Sequence, residues 1–245
     1  MCLILFAVNP NAQHRLVIAA NRDELYARPT TDADFWGESP GVLAGRDQQM
    51  GGTWLGVNRR GCFAAVTNFK EDPPDPIPPR SRGELPADFL RHKADPHQYV
   101  MGVAENAHAY RGFNLIVADS TACWYYGNRA GTPRRLDTGA YGLSNQVLDC
   151  DWPKVIEGRQ RLTDLLEEQP EPNTLIEGLF GLLLHSGDAR AFSNSFIKAN
   201  VYGTRAATVV TIDHNGDVYF EERNFAENGI GLGSNSYLIK SNGDS

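Results

Sequence analysis

The chain has 245 residues and a formal net charge of −7 at neutral pH. Hydrophobic residues make up 41% and charged residues 22% of the sequence, which is typical of a globular protein that buries its core without metal or disulfide support. The acidic balance argues against a broad nucleic-acid surface or binding to anionic membranes, and no apolar stretch approaches the ~20 residues of a membrane span.

Two β-rich runs begin the chain, over residues 2–8 and 15–21. An Asn-Pro-Asn sequence at 9–11 separates them, so the pattern predicts a hairpin. Both runs are almost continuously apolar, which is typical of strands that are covered on both faces. A second hairpin is predicted between 53–57 and 62–68.

Residues 72–80 contain five prolines and are predicted to be irregular. After them the pattern changes in blocks: two helices, several strands, two helices and a final hairpin. This order predicts sheets packed against helical layers in a single domain, 1–245, with a loosely held tail over 224–245. The expected helices are 83–92, 97–109, 153–168 and 173–185, and the expected strands are 113–119, 123–128, 140–144, 204–213 and 218–222.

Cys2 stands at the start of the first strand, directly after Met1. Removal of Met1 would leave a thiol and a free α-amine on one residue, and an α-amine with a pKa of about 7.7–8.0 can act as the general base for the thiol. The alternative is that Cys2 packs as a small apolar residue, because free cysteine is among the most buried residue types. The other cysteines, Cys62, Cys123 and Cys150, form no close pair in sequence, which argues against zinc or dithiol motifs and favours a reducing compartment.

Several short motifs follow one another along the chain. They are Asn21-Arg22-Asp23-Glu24, Gly51–Gly56, Thr67-Asn68, Gly142–Asn145, Trp152-Pro153-Lys154 and Tyr202–Arg205. Together with Cys2, this combination resembles the NRDE family, which includes transport-and-Golgi-organisation type proteins. The resemblance extends from Met1 to about Arg223. The family is associated with haem mobilisation and with lipid or acyl-CoA homeostasis.

The resemblance implies an N-terminal-nucleophile hydrolase fold. Such a fold belongs to the α+β class and is a four-layer αββα sandwich, with two antiparallel sheets between helical layers. The chain is also similar to the choloylglycine hydrolase and acid ceramidase group, which cleaves amide bonds with an N-terminal cysteine. Position by position, this similarity assigns the catalytic residues to Cys2, Arg22, Asp23, Asn68, Asn145 and Arg205.

The roles implied by the resemblance are those of nucleophilic catalysis. Cys2 attacks a carbonyl carbon as its thiolate, and its α-amine accepts the thiol proton and returns it to the leaving amine. Asp23 holds that amine in place, while Arg22, Arg205 or both lower the thiol pKa. The residues assigned to donate hydrogen bonds to the oxyanion are Asn68 and Asn145.

Each assigned residue also has a structural interpretation. The tetrad at 21–24 fits an ion network, the two asparagines fit hydrogen bonds to turn backbones, and Arg205 fits a surface ion pair. In addition, Arg22 and Asp23 are adjacent, and neighbours on a regular strand point to opposite faces. Both reach one site only where the strand bends or ends, so the sequence leaves their joint assignment open.

The sequence therefore supports two functions. The first is an N-terminal cysteine amidohydrolase that acts on a non-peptide acyl-amide bond and requires no cofactor. The alternative is a non-catalytic protein that binds and carries haem, a lipid or an acyl-CoA; the six histidines show no metal-binding spacing. In both cases the expected partner is a small molecule. The cysteine usage predicts a cytoplasmic location, and a mitochondrial association stays open for a eukaryotic source.

Overall fold

The computed structural model describes residues 2–73 and 80–241 of the chain. Within them, two antiparallel β-sheets and four α-helices form an α+β fold. The residues group into two compact units, each assembled from separate stretches of the chain. The first unit comprises the chain up to Ala27 with Thr138–Ser144 and Leu148–Ile239, and the second comprises Arg28–Asp137 and Asn145–Val147.

The strands and helices are numbered in chain order. The strands are β1 (Leu3–Val8), β2 (His14–Leu25), β3 (Thr30–Trp36), β4 (Ser39–Asp47), β5 (Leu55–Asn58), β6 (Phe63–Asn68), β7 (Phe113–Ala118), β8 (Cys123–Gly127), β9 (Arg134–Leu136), β10 (Gly139–Leu143), β11 (Tyr202–Asp213), β12 (Val218–Phe225) and β13 (Gly231–Ile239). The helices are α1 (Glu84–Arg91), α2 (Pro96–Glu105), α3 (Pro153–Glu167) and α4 (Pro172–Leu183).

The sheet of the first unit has the order β10-β1-β2-β11-β12-β13, and all neighbouring strands are antiparallel. Strand β1 is apolar at every position, and all of its residues are buried, as expected of a strand that is covered on both faces. Its alternate residues Leu3, Leu5 and Ala7 join the core cluster that α3 and α4 complete. The helical layer of this unit therefore lies on one face of β1.

Helix α3 approaches β1 closely because the helix carries a glycine at the contact. A Cβ atom at Gly158 would lie 2.8 Å from the side chain of Leu5, which is too close for any larger residue without a shift. Pro153 occupies the first turn, as the sequence predicts, because the amide hydrogen that proline lacks has no partner within the helix there. The contact with β1 fixes the helix against the strand that begins beside Cys2.

The sheet of the second unit has the order β3-β4-β5-β6-β7-β8-β9, again antiparallel throughout. Helices α1 and α2 pack on it through a core cluster that includes Phe89, Leu90 and Val100 from the helices and Leu115 from β7. Strands β5 and β6 form the second hairpin that the sequence predicts, and β5 begins at Leu55 rather than at residue 53.

The four expected helices are confirmed, with changes at their ends. Helix α2 ends at Glu105, and a separate 3₁₀ turn over Ala107–Ala109 takes the place of its expected last part. Strands β3, β4 and β9 were not expected from the sequence. No helix in the described part of the chain is long and apolar enough to cross a membrane.

The end of the chain differs from the expected loose tail over 224–245. Strand β12 continues to Phe225, and β13 pairs with it antiparallel from Gly231 to Ile239. Strand residues therefore occupy half of the expected tail, and β13 is an edge strand with mostly exposed residues. Residues 242–245 of that tail, and residues 74–79 of the proline-rich segment, lie outside the described residues.

Candidate active site

Cys2 lies immediately before β1, in the first unit, and the residue as a whole is partly exposed. Two side chains of the same unit hold its backbone carbonyl: the Ser144 hydroxyl donates a hydrogen bond of 2.6 Å to this oxygen, and the Lys154 ammonium nitrogen lies 3.5 Å from it. The Cys2 sulfur lies 3.9 Å from the backbone oxygen of Asp23, which is a long contact for a thiol donor. The hydrogen bonds to its carbonyl thus fix Cys2 at the N-terminal end of the buried strand β1.

The environment of Cys2 favours the neutral thiol. Burial raises the pKa of the thiol, and the negative charge of Asp23 raises it further, whereas the positive charge of Arg22 lowers it. Because the thiolate is the nucleophile, Cys2 needs a base that takes its proton before it can attack a carbonyl carbon. Met1, whose removal would create such a base, lies outside the described residues.

Asp23 is held by the neighbouring strand. The Thr204 hydroxyl of β11 donates a hydrogen bond of 2.6 Å to Asp23 Oδ1, and Thr204 Oγ1 accepts a hydrogen bond of 2.9 Å from the amide of Ile197. Asp23 and Thr204 are direct partners in the register of β2 and β11. Asp23 is 6% exposed, and the hydrogen bond from Thr204 fixes the orientation of its carboxylate. A residue that positions another group needs such a fixed orientation.

Arg22 and Asp23 are adjacent on β2, and adjacent residues of a regular strand point to opposite faces of the sheet. Arg22 pairs with Ala206 of β11. On the other side of β2, Leu3 of β1 pairs with Asn21, so the next position along, Cys2, lies beside Arg22. The positive charge of Arg22 lowers the pKa of the Cys2 thiol, and the negative charge of Asp23 raises it. The joint assignment of Arg22 and Asp23 to one site, and their chemical roles, stay predictions.

Arg205 is the extra residue of a β-bulge. Asp23 pairs with Thr204 and Arg22 pairs with Ala206, so Arg205 is inserted between two paired positions of β11. Its guanidinium donates a hydrogen bond of 3.2 Å to the backbone oxygen of Leu25. The contact described for Arg205 is therefore with the end of β2, and its assignment to the thiol stays a prediction.

Asn68 and Asn145 belong to the second unit and contact each other. The Asn145 side-chain amide donates a hydrogen bond of 2.8 Å to the backbone oxygen of Asn68, and the backbone oxygen of Asn145 accepts one of 2.8 Å from the amide of Lys70. Asn145 is buried, whereas Asn68 is exposed. The Asn145 side chain thus bonds to a backbone oxygen, and the part of both asparagines in an oxyanion hole stays a prediction.

Comparison with known proteins places the chain in a family. It matches the family model described as Transport and Golgi organisation 2 over residues 1–227. The chain belongs to the Transport and Golgi organisation 2 family. Similar proteins include the homologue from Bos taurus, with 38% identity over 91% of this chain and 92% of the relative, and the one from Homo sapiens, with 37% identity over 93% and 94%. The Drosophila melanogaster protein is 26% identical over 91% of each chain.

Two solved structures resemble this member of the Transport and Golgi organisation 2 family in fold. A mutant of the conjugated bile acid hydrolase from Clostridium perfringens gives a TM-score of 0.53 with 11% identity, covering 100% of this chain and 95% of that one. The Caenorhabditis elegans orthologue of N-acylethanolamine-hydrolyzing acid amidase gives 0.50 with 14% identity, covering 85% and 92%. This likeness confirms the expected N-terminal-nucleophile hydrolase-like fold. The family model and the similar relatives confirm the resemblance to the NRDE family.

Sequence reasoning missed four residues around Cys2 in this family member. Ser144 and Lys154 hold its carbonyl, Thr204 fixes Asp23, and the Tyr202 hydroxyl donates a hydrogen bond of 3.3 Å to the backbone oxygen of Asp23. All four lie inside the short motifs quoted from the sequence. The motifs were therefore a sufficient signal, but only their asparagine and arginine residues were assigned to the site.

Proposed function

We propose that this protein hydrolyses the carbon–nitrogen bond of an acyl-amide, with Cys2 as the nucleophile after Met1 has been removed. One observation carries the proposal: a partly exposed cysteine stands at the end of a buried strand, with its carbonyl held by Ser144 and the charges of Arg22 and Asp23 acting on its thiol. The names of the two structural neighbours, an acid amidase and a bile acid hydrolase, support the reaction class.

The proposed reaction has two steps. The free α-amine of Cys2 accepts the thiol proton, and the thiolate attacks the carbonyl carbon while Arg22 stabilises the negative sulfur. The carbon–nitrogen bond then breaks, the amine proton passes to the leaving nitrogen, and an acyl thioester remains on Cys2. Water attacks the thioester with the α-amine as base, and the acid product leaves as the thiol forms again.

We expect acyl-amides to form a covalent adduct on residue 2. The test incubates the protein, with Met1 removal verified by intact mass, with N-acylethanolamines and N-acyl amino acids of several chain lengths. Peptide mass mapping after acid quenching should locate an added acyl group on Cys2, because the thioester is an intermediate of the proposed reaction.

The matched control is the same chain with an N-terminal extension, in which residue 2 has no free amine. This form should give neither the adduct nor the hydrolysis products. Hydrolysis that continues with a blocked residue 2 would overturn the proposal, and so would an absence of adduct and products across the whole panel with the processed protein.

Asp23→Asn is expected to lower the hydrolysis rate by about a hundredfold, because a residue that positions a proton-transfer group contributes at about this level. The substitution keeps an oxygen that can accept the Thr204 hydrogen bond, so the fold should be retained. The rate is measured on the best substrate of the panel.

Glu24→Gln is the matched control, because it also removes a carboxylate of the tetrad. The glutamine side-chain oxygen can still accept a hydrogen bond from the Leu25 amide, so the hydrolysis rate should stay close to that of the wild type. Equal effects of both changes would contradict the assigned role of Asp23.

A second candidate function is the binding of an apolar ligand without turnover. Two large apolar side chains beside the end of β2 are exposed, Leu25 by 47% and Val201 by 69%, and the Tyr26 amide joins their segments by a hydrogen bond to the Val201 oxygen. Exposed apolar side chains next to a site favour a ligand with a hydrocarbon part, such as a lipid or an acyl-CoA. Haem stays an alternative ligand. Ligand binding that survives Cys2→Ala, with no adduct in the wild type, would favour this candidate.

A further inference from the structure

Lys154 is a buried lysine in an unfavourable place for a cation. It is the second residue of α3, where the helix dipole favours negative charge, and the residue is 2% exposed. Removal of an ammonium group from water costs several kcal/mol in proteins unless other groups compensate it. The charged form of Lys154 therefore depends on compensating groups close to the start of α3.

The contacts of Lys154 identify these groups. Its ammonium nitrogen lies 3.5 Å from the Cys2 carbonyl oxygen, which also accepts the Ser144 hydrogen bond. The nitrogen lies 5.8 Å from the centre of the Trp152 ring, within the range of a cation–π interaction. Trp152 in turn stacks on Phe192, with 4.3 Å between the ring centres, so a pair of aromatic rings lies beside the lysine.

Charges at the site act on the lysine in both directions. The pKa of Lys154 lies below its usual value, because the effect of burial outweighs that of the negative charges of Asp23, Cys2 and Cys150, which raise the pKa. A thiolate on Cys2 therefore favours the charged lysine, and by reciprocity the charged lysine favours the thiolate. The ionisable groups that face Cys2 and Lys154 from the packed elements are Arg22 and Asp23 on β2, Tyr202 on β11 and Cys150 before α3.

We propose that Lys154 is a positioning residue that holds the Cys2 carbonyl and stabilises the Cys2 thiolate with its positive charge. The inference rests on the proposed function in so far as Cys2 is the nucleophile. It adds a cation from α3 to the two arginines that the sequence assigns to this task. Lys154 acts through Cys2 and does not itself touch the substrate in this proposal.

The test measures the reactivity of Cys2 without any substrate. Iodoacetamide, a neutral reagent, alkylates the thiolate, and peptide mass mapping gives the rate at Cys2 separately from the rates at Cys62, Cys123 and Cys150 across a range of pH. In Lys154→Met the pH midpoint of the Cys2 rate should rise by about one unit, and the rate near neutral pH should fall about tenfold. All proteins are compared in the same N-terminal form.

Ser144→Ala is the matched control. It removes the other group that holds the Cys2 carbonyl but no charge, so it should leave the pH midpoint where it is. Lys154→Arg, which keeps the charge, should return the midpoint towards wild type. The inference would be overturned if Lys154→Met folds and has the same pH midpoint for Cys2 alkylation as the wild type. It would also be overturned if Ser144→Ala raises this midpoint as much as Lys154→Met does.

Two further features keep the test decisive. If Lys154→Met does not fold, the single variant Asp23→Asn is compared with the double variant that carries Asp23→Asn and Lys154→Met. The double variant leaves no buried carboxylate at residue 23 without its cation. The pH midpoint of the Cys2 rate should be higher in the double variant than in the single variant, and an equal midpoint would overturn the inference. The alkylation rate also needs no turnover. Failure of the acyl-amide panel would therefore count against the proposed hydrolysis and leave the test of Lys154 intact.

Discussion

Cys2→Ala is expected to lower the hydrolysis of the best acyl-amide by about a thousandfold or more, because removal of a covalent nucleophile leaves only the catalysis that binding and electrostatic stabilisation supply. Alanine has no atom that can form the thioester, so the adduct on residue 2 should vanish as well. Steady-state rates on the processed protein, with adduct mapping on the same samples, provide the measurement.

The fold should not suffer from this change. Cys2 lies outside β1 and is partly exposed, and its described contacts with Ser144 and Lys154 are made by its backbone oxygen. Its free energy of unfolding should therefore stay within about 1 kcal/mol of the wild type. A loss of activity in this variant would then report on chemistry and not on folding.

Cys150→Ser is the matched control for the thiol. Cys150 is also partly exposed and also belongs to the first unit, so a general effect of thiol removal or oxidation would appear in both variants. Its turnover should stay within a few-fold of the wild-type value, because Cys150 acts on the site only through the charge of Lys154. A Cys2→Ala protein that still hydrolyses the substrate at a comparable rate would end the case for Cys2 as the nucleophile.

Much of the first unit could be predicted from the sequence because its signals are local. The apolar runs of β1 and β2 and the turn between them specify a hairpin, and the pairing of those strands brings Cys2 to the end of β2. The arrangement of Cys2 with Arg22 and Asp23 therefore follows from one hairpin. A local pattern was sufficient for this part of the candidate site.

The remainder of the site depends on contacts between distant segments. The bulge at Arg205 is a feature of the register between β2 and β11, and no pattern within either strand specifies a one-residue shift. Lys154 reaches Cys2 because α3 packs on β1, which depends on the close approach at Gly158. Neither relation has a signature in the spacing of residues along the chain.

Strands β3 and β13 could not be predicted from the sequence, for two different reasons. Strand β3 has a polar sequence with mostly exposed or half-exposed residues, so hydrophobic periodicity is weak there. Strand β13 is rich in glycine, serine and asparagine, which are poor strand formers, and it exists because its backbone pairs with β12 along the edge of the sheet. Tertiary pairing outweighs local propensity in β13.

Asn21→Asp is expected to lower the free energy of unfolding by roughly 3–5 kcal/mol, because two buried carbonyl groups lose their donors and a carboxylate is buried against them. The Asn21 amide nitrogen donates hydrogen bonds of 2.8 Å each to the backbone oxygens of Leu183, at the end of α4, and Ser195. Asn21 is 2% exposed, so water cannot replace either donor. Denaturation by urea, followed by far-ultraviolet circular dichroism, measures the change.

Asn11→Asp is the matched control for this substitution. Asn11 lies in the turn between β1 and β2, and its Oδ1 atom accepts hydrogen bonds from the amides of Gln13 and His14 at 3.0 and 2.8 Å. An aspartate keeps this acceptor, so the same chemical change should alter the free energy of unfolding by about 0.5 kcal/mol or less. Similar losses in both variants would show that the donors of Asn21 do not matter.

The pH dependence of Asn21→Asp provides a second check on the cause. Burial against two carbonyl oxygens should raise the pKa of the introduced carboxyl group above its value in the unfolded chain. Its protonated form can donate one hydrogen bond, so the destabilisation should be smallest in mildly acidic solution and should grow as the pH rises through the pKa of the folded state. Asn21, the first residue of the tetrad at 21–24, would then have a structural role. Its hydrogen bonds connect β2 to the end of α4 and so help to hold Arg22 and Asp23 beside Cys2. A destabilisation that does not change with pH would place its cause elsewhere than in the lost donors and the buried charge.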